Sequence, residues 1–219
     1  MSGLLGSTVG KKYLMGITGL IWAGFVLAHM AGNLLIFVSP DAYNVYGHTL
    51  VSGNIIFIAE AVLILALIVH VFCAVSLTIH NRAAKETRYA VAASGKKKAT
   101  LASRTMAVQG TLILAFLIYH ITTFKFGTYY ETTVNGVVMR DLHRLIVEVF
   151  QSPAYVGWYL VCLVLLGYHL SHGVGSVFQS LGLMNGTYRN GIRKLSITYA
   201  VIVAIGFISQ PLYVYLFAH

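Results

Sequence analysis

Residues Asn54–Ile79 read NIIFIAEAVLILALIVHVFCAVSLTI, with one carboxylate (Glu60), one imidazole (His70) and no lysine or arginine. At 1.5 Å per residue, about 20 apolar residues cover the hydrocarbon core of a bilayer. No water reaches that core, so a stretch of this length and polarity satisfies its own backbone as a transmembrane helix. Four further runs have the same character: Tyr13–Val38, Thr105–Phe124, Tyr155–Leu183 and Leu195–Ala218. Pro40 and Pro153 stand at run boundaries, and Pro211 falls inside the last run, where it predicts a kink. Of the 219 residues, 58% are hydrophobic and 10% charged. A soluble domain carries about 25% charged residues. Too few polar residues remain to coat a water-soluble body, so soluble, disordered, collagen-like and coiled-coil classes are excluded. The expected fold is an all-α membrane protein, a five-helix bundle forming one membrane domain over residues 1–219.

The net charge of +9, from 15 Lys+Arg against 6 Asp+Glu, is unevenly placed. Lys11 and Lys12 precede the first run. Arg82, Lys85, Arg88, Lys96, Lys97, Lys98 and Arg104 lie between the second and third, and Arg189, Arg193 and Lys194 between the fourth and fifth. The opposite side holds Lys125, Arg140 and Arg144. The positive-inside rule accounts for the excess without nucleic acid and predicts a cytoplasmic N-terminus and an outside C-terminus. The segment Glu131–Glu148 reads as a polar outside loop with room for a surface helix. Cys73 and Cys162 sit in apolar runs and read as small core residues. The first run is too long for a signal-peptide core, and Asn185-Gly-Thr187 matches a glycosylation sequon of little weight alone.

Ionisable groups inside a membrane span are costly and usually functional. His29, His70, His120 and His169 each lie deep in a different run, and His172 follows one turn after His169. Counting from Tyr13 and Thr105, His29 and His120 lie about 23–24 Å from the inner end. Counting from Asn54 and Tyr155, His70 and His169 lie about 21–24 Å from the outer end. The four histidines therefore form two level-matched pairs, His29 with His120 nearer the outside and His70 with His169 nearer the inside. Two imidazoles facing each other between helices are how a protein holds a b-type haem with no open coordination position, a site suited to electron transfer. Zinc would want three or four ligands at one level. Small residues share the histidine faces: Gly32 and Asn33 with His29; Ala66, Cys73 and Ala74 with His70; Gly173 and Ser176 with His169. They would let a flat macrocycle approach the backbone, or simply pack helices. Gly16 with Gly19, and Gly173 with Gly175, read as helix packing.

The stretches Leu27-Ala28-His29-Met30-Ala31-Gly32-Asn33, His169-Leu170-Ser171-His172-Gly173 and Ser176-Val177-Phe178-Gln179-Ser180-Leu181-Gly182, set in five spans over nearly the whole chain, resemble the di-haem cytochrome b membrane anchor of succinate dehydrogenase and fumarate reductase. The resemblance implies His70 and His169 as axial ligands of an inner haem b, and His29 and His120 of an outer one. His169 is chosen over His172 because the family ligand usually stands four residues before the motif glycine; His172 would then serve a propionate or pack beside the ring. It further implies a respiratory electron-transfer subunit of a bacterial inner membrane. A flavoprotein carrying FAD and a subunit carrying iron–sulfur clusters would dock on its cytoplasmic face. Electrons would pass through both haems to a membrane quinone, menaquinone being the expected form.

Glu60 is the only acidic residue within a span, about two turns from its outer end, and is a candidate to carry protons to quinone. Tyr43, Asn44 and His48, in what reads as the adjacent outer loop, are candidates to complete that site. His80, Arg82 and Arg104 cluster at the inner edge, where haem propionates, the iron–sulfur partner or topology alone would use them. His143 reads as a surface-helix residue or a propionate partner. Two other classes fit less well. One is a haem b anchor of a hydrogenase or formate dehydrogenase. The other is a proton-coupled transporter relaying through the histidines and Glu60, for which the chain lacks a convincing internal repeat.

Overall fold

The computed structural model describes residues 6–83 and 101–218. The basic residues Lys85, Arg88 and Lys96–Lys98, and the terminal His219, lie outside them. Helix α1 (Thr8–Asn33) continues through a 3-10 turn (Leu34–Phe37) to α2 (Pro40–Val51), α3 (Ile55–Ala83) and α4 (Leu101–Phe124). Two strands, β1 (Glu131–Val134) and β2 (Val137–Arg140), precede α5 (Leu142–Phe150), α6 (Pro153–Ser180) and α7 (Arg189–Phe217). Among the described residues, five segments are long and apolar enough to cross a membrane: Thr8–Phe37, Ile55–Ala83, Ala102–Phe124, Pro153–Ser180 and Arg189–Phe217.

These helices outrun the apolar stretches that announced them. Lys11 and Lys12 lie within α1, and Arg189, Arg193 and Lys194 within α7. Backbone hydrogen bonding carries each helix beyond its apolar run, and Lys11 Nζ donates to Ser76 Oγ of α3 at 2.7 Å. The last helix runs unbroken from Arg189 to Phe217 with Pro211 inside it.

The connections at one end are more structured than expected. The segment after Pro40 is not a loop but helix α2. Ser39 caps it, its hydroxyl accepting from Ala42 N at 3.1 Å, with Pro40 in the first turn where its missing N–H costs nothing. Between α4 and α5 the polar segment forms an antiparallel hairpin in which Val134 pairs with Val137 across Asn135-Gly136. Both turn residues have positive φ, 51° and 79°, as a two-residue turn matching strand twist requires. The surface helix expected here is α5, capped by Asp141, whose carboxylate accepts from Arg144 N. Among the described residues the fold is thus a helical bundle with one small hairpin.

Helices α1, α6 and α7 form the centre, with Ala23, Leu170, Ala200 and Val203 buried between them. The α6–α7 contact is close because its residues are small: a Cβ on Gly167 would stand 3.1 Å from Ala204 Cβ, and one on Gly175 3.2 Å from Ser196 Oγ. Helix α3 leans on α1 and α4 leans on α6, while α3 and α4 barely touch. Only 6% of the apolar window of α3 and of α4 is buried, against 22–28% in the other three. Those two helices therefore offer most of their surface to lipid.

Helices α2 and α5 and the hairpin cap one end of the bundle over a cluster including Ile36, Tyr43, Ile146, Phe150, Val156 and Val214. Asn44, 2% exposed, joins the cap's parts: its amide donates to Asp141 Oδ1 at 2.8 Å and its carbonyl accepts from His143 N at 2.9 Å. An Asn44→Leu variant strands His143 N, while Asp141 Oδ1 keeps the bond from Arg144 N. A buried group left unpaired costs about 1–3 kcal/mol, so the melting temperature is expected to fall by about 2–10 °C, read by thermal unfolding in detergent; an unchanged midpoint would remove Asn44 from this role.

Candidate functional site

Each of the four span histidines stands on a different helix, and the packing pairs them across the bundle. His29 on α1 meets His120 on α4, with ring centroids 5.8 Å apart and planes at 87°. His70 on α3 meets His169 on α6, at 6.5 Å and 60°. Neither pair joins two helices that pack along their length: α1 packs on α3 and α6, and α4 on α6. The histidine pairs thus lie on the two diagonals, α1 to α4 and α3 to α6. His29 and His120 lie toward the capped end; His70 and His169 lie toward the other end, which is open among the described residues.

The rings' environments bear on what they can ligate. The Nδ1 of His70 lies 3.1 Å from Met15 O and 3.2 Å from Thr18 Oγ1. Thr18 already donates to Leu14 O at 2.7 Å. A carbonyl only accepts, so Nδ1 carries the proton and Nε2 keeps its lone pair for a metal, the usual arrangement of a ligating imidazole. The Nδ1 of His120 lies 3.1 Å from Tyr159 Oη, a partner compatible with the same tautomer. Among the described residues, the buried Nδ1 of His169 has no hydrogen-bond partner. His29 differs. Tyr43 donates to Asn33 Oδ1 at 2.5 Å, and Asn33 Nδ2 donates to His29 O at 2.8 Å. That orientation presents an N–H to His29 Nδ1, at a long 3.4 Å.

Two imidazoles binding one metal ion from opposite sides, with metal–nitrogen bonds of about 2.0–2.1 Å, place their ring centres about 6 Å apart. Both pairs stand near that separation. Among the described residues no three His, Cys, Asp or Glu side chains gather as a metal site; each pair offers two imidazoles, the number of axial ligands a six-coordinate haem takes. Pair spacing and the tautomer of His70 fit a haem b at the His70–His169 pair; at the His29–His120 pair the spacing fits, while the Asn33 N–H facing His29 Nδ1 makes His29 the ring whose surroundings favour ligation least.

The small residues divide between packing and histidine contact. Gly19, read as helix packing, faces an imidazole instead: a Cβ there would stand 3.3 Å from His70 Cε1 and 3.6 Å from Nδ1. Gly110, which drew no attention in the sequence, similarly faces His169 Cε1 at 3.8 Å. Gly32, expected beside a macrocycle, is filled by the Tyr46 ring of α2. Gly16 packs on Val177, whereas a Cβ on Gly173 meets nothing within 4 Å. His172 is half-buried on α6. Cys73 and Cys162 are buried free thiols.

The other candidates scatter. The Glu60 carboxylate is ion-paired with Lys125, just past the end of α4, and its side chain is 35% exposed. Tyr43 and Asn44 are not open loop residues. They are buried in the cap and engaged by Asn33 and Asp141, because α2 is a helix whose inner face packs down. Burial, with Tyr46 nearby, holds the Tyr43 phenol protonated well beyond the ordinary tyrosine range, so it acts as a donor. His48 is half-buried on α2. His143 packs 6.5 Å from the Tyr43 ring, and burial lowers its pKa against the opposing pull of Asp141. His80, Arg82 and Arg104 are exposed at the open end.

The fold and these pairs together define a multi-pass helical membrane protein with two diagonal histidine pairs. No known family model matches the chain, and neither a curated protein nor a solved structure matches it.

Proposed function

We propose that the chain is the di-haem cytochrome b anchor of a succinate:quinone oxidoreductase in a bacterial inner membrane. The observation that carries the reading is the presence of two opposed histidine pairs, one toward each end of a five-helix bundle, each spaced as two imidazoles on one metal. Between such pairs, haem supplies reversible one-electron transfer without binding oxygen. The protein's part is to set the imidazoles opposite one another, hold the His70 proton on Nδ1, and surround the rings with apolar helix faces. With haem bound, His29 with His120 and His70 with His169 would each hold one group, at two levels of the bundle. The basic ends of α1, α3, α4 and α7 lie together at the open end, which the positive-inside rule makes cytoplasmic. There the flavoprotein and iron–sulfur subunits would dock, with succinate as the proposed electron source and quinone as acceptor at the capped end.

A reduced-minus-oxidised absorption spectrum of the purified chain tests this. Two b-type signals per polypeptide support it; a colourless protein overturns it. Within the reading, Glu60 is the proposed proton carrier at the capped end, acting when its pair with Lys125 opens. Glu60→Gln is expected to slow quinone turnover severalfold with both haem signals intact; unchanged turnover would leave Glu60 only as the tie between α3 and Lys125, a contact worth about 0–1 kcal/mol at an exposed site.

A further inference from the structure

The Asn33 side chain, one turn beyond His29 on α1, lies with its Nδ2 2.8 Å from the His29 carbonyl oxygen. A carbonyl only accepts, so the atom facing it is the amide nitrogen and not the amide oxygen. The other side of the amide is fixed as well: Tyr43 Oη, reaching in from α2 of the cap, donates to Asn33 Oδ1 at 2.5 Å. Tyr43 is buried. With both sides engaged, the second amide N–H is left toward His29 Nδ1, at 3.4 Å. The imidazole has little room to turn from it. Phe25 stacks on the ring with centroids 5.3 Å apart and planes at 15°, and the Phe207 ring of α7 stands 5.9 Å away.

A donor facing Nδ1 favours the neutral imidazole that accepts at Nδ1 and carries its proton on Nε2. In that form Nε2 is closed to a metal. His70 has the opposite arrangement, because Met15 O, 3.1 Å from its Nδ1, draws the proton there and leaves Nε2 open. The two pairs are thus alike in spacing and unlike in readiness. We propose that Asn33, pinned by Tyr43, is a positioning residue that holds His29 in the Nε2–H form and makes the capped-end pair the weaker of the two haem sites. It rests on the function proposed above for the identity of the ligand; the tautomer rests only on the chain's own hydrogen bonds. For His29 to ligate, the proton leaves Nε2 and one is taken up at Nδ1, so the ring stays neutral. The amide then has to turn its oxygen toward the new N–H and give up the bond from Tyr43. A bond in the cap therefore works against ligation inside the bundle, the reverse of a merely structural tie.

Haem release from the loaded full chain, in phosphatidylcholine nanodiscs, to excess apomyoglobin reads the two sites separately. Two phases are expected, the faster one absent from His29→Ala. Tyr43→Phe frees the amide to turn, and Asn33→Asp replaces its donor with an acceptor. An outer hydrogen bond to a ligating imidazole is worth about 10–100-fold in metal affinity, so each variant is expected to slow the fast phase about tenfold and leave the slow phase unchanged. Asn33→Asp is also expected to shift the midpoint potential of the capped-end signal downward, since a carboxylate on Nδ1–H makes the ligand more basic; a packing role would not move it. A fast phase that belongs to the open-end pair, or one that Tyr43→Phe leaves unchanged or quickens, overturns the proposal. Nitrogen-15 spectra of the histidine-labelled full chain produced without haem read the tautomer directly. The His29 signal, identified by its loss in His29→Ala, is expected to report a proton on Nε2 in the unaltered chain and on Nδ1 in Asn33→Asp. A proton on Nδ1 in the unaltered chain overturns the proposal whatever the haem content. A chain that takes up no haem yet shows His29 protonated on Nε2 would sink the haem reading and leave the hold of Asn33 on His29 standing.

Discussion

His70→Ala and His169→Ala are each expected to reduce haem content from about two per chain to about one, with the remaining signal that of the capped-end pair. The two imidazoles of the open-end pair come from α3 and α6, which the bundle holds with the rings 6.5 Å apart. Noncovalent b-type binding relies on both axial nitrogens, so deleting one removes half of the protein's ligation. The capped-end pair stands on α1 and α4 and shares no ligand with it. His29→Ala and His120→Ala are expected to give the mirror result. Haem content by pyridine haemochrome, with spectra at two potentials, separates the sites. Two haems retained in all four variants would overturn the assignment, and loss of both in every variant would place the histidines in one shared site.

Gly19→Leu is expected to lower occupancy of the open-end site without altering any ligand. A Cβ at Gly19 already stands 3.3 Å from His70 Cε1, and leucine adds three more carbons directed at the ring. The ring would have to leave Met15 O, which fixes its proton on Nδ1. Loss of an outer hydrogen bond to a ligating imidazole costs about 10–100-fold in metal affinity, and overpacking adds about 1–3 kcal/mol of strain. The control is Gly24→Leu on the same helix, where a Cβ meets nothing within 4 Å; it is expected to leave both sites full. Equal haem loss in the two variants would mean that α1 tolerates no leucine anywhere, and that Gly19 has no particular bearing on His70.

The two contacts behind these effects are fixed by different features of the chain. The His70–His169 pairing follows from residue counts, because a membrane helix rises 1.5 Å per residue and the bilayer fixes where each span begins. The contact of Gly19 with His70 depends on how α1 is rotated against α3, and the 3.6-residue period does not report rotation when a helix is apolar all round. Hence sequence spacing alone assigns Gly19 to packing and Gly32 to the ring face, whereas Gly19 meets His70 and Tyr46 occupies the side of Gly32. The structured cap was partly legible. Ser39-Pro40-Asp41 is a helix start and Asn135-Gly136 a hairpin turn, but both lie in short segments overshadowed by the long apolar runs. The bond from Tyr43 to Asn33 had no signal along the chain, since it joins α2 back to α1 and forms only on packing.

Sequence alone determined the number of spans and the depth of each histidine, because both follow from local hydrophobicity and the fixed rise of a helix. Tertiary structure decided which rings meet, which glycines touch them and which side chains face their nitrogens, because those depend on helix rotation and on how the cap folds back.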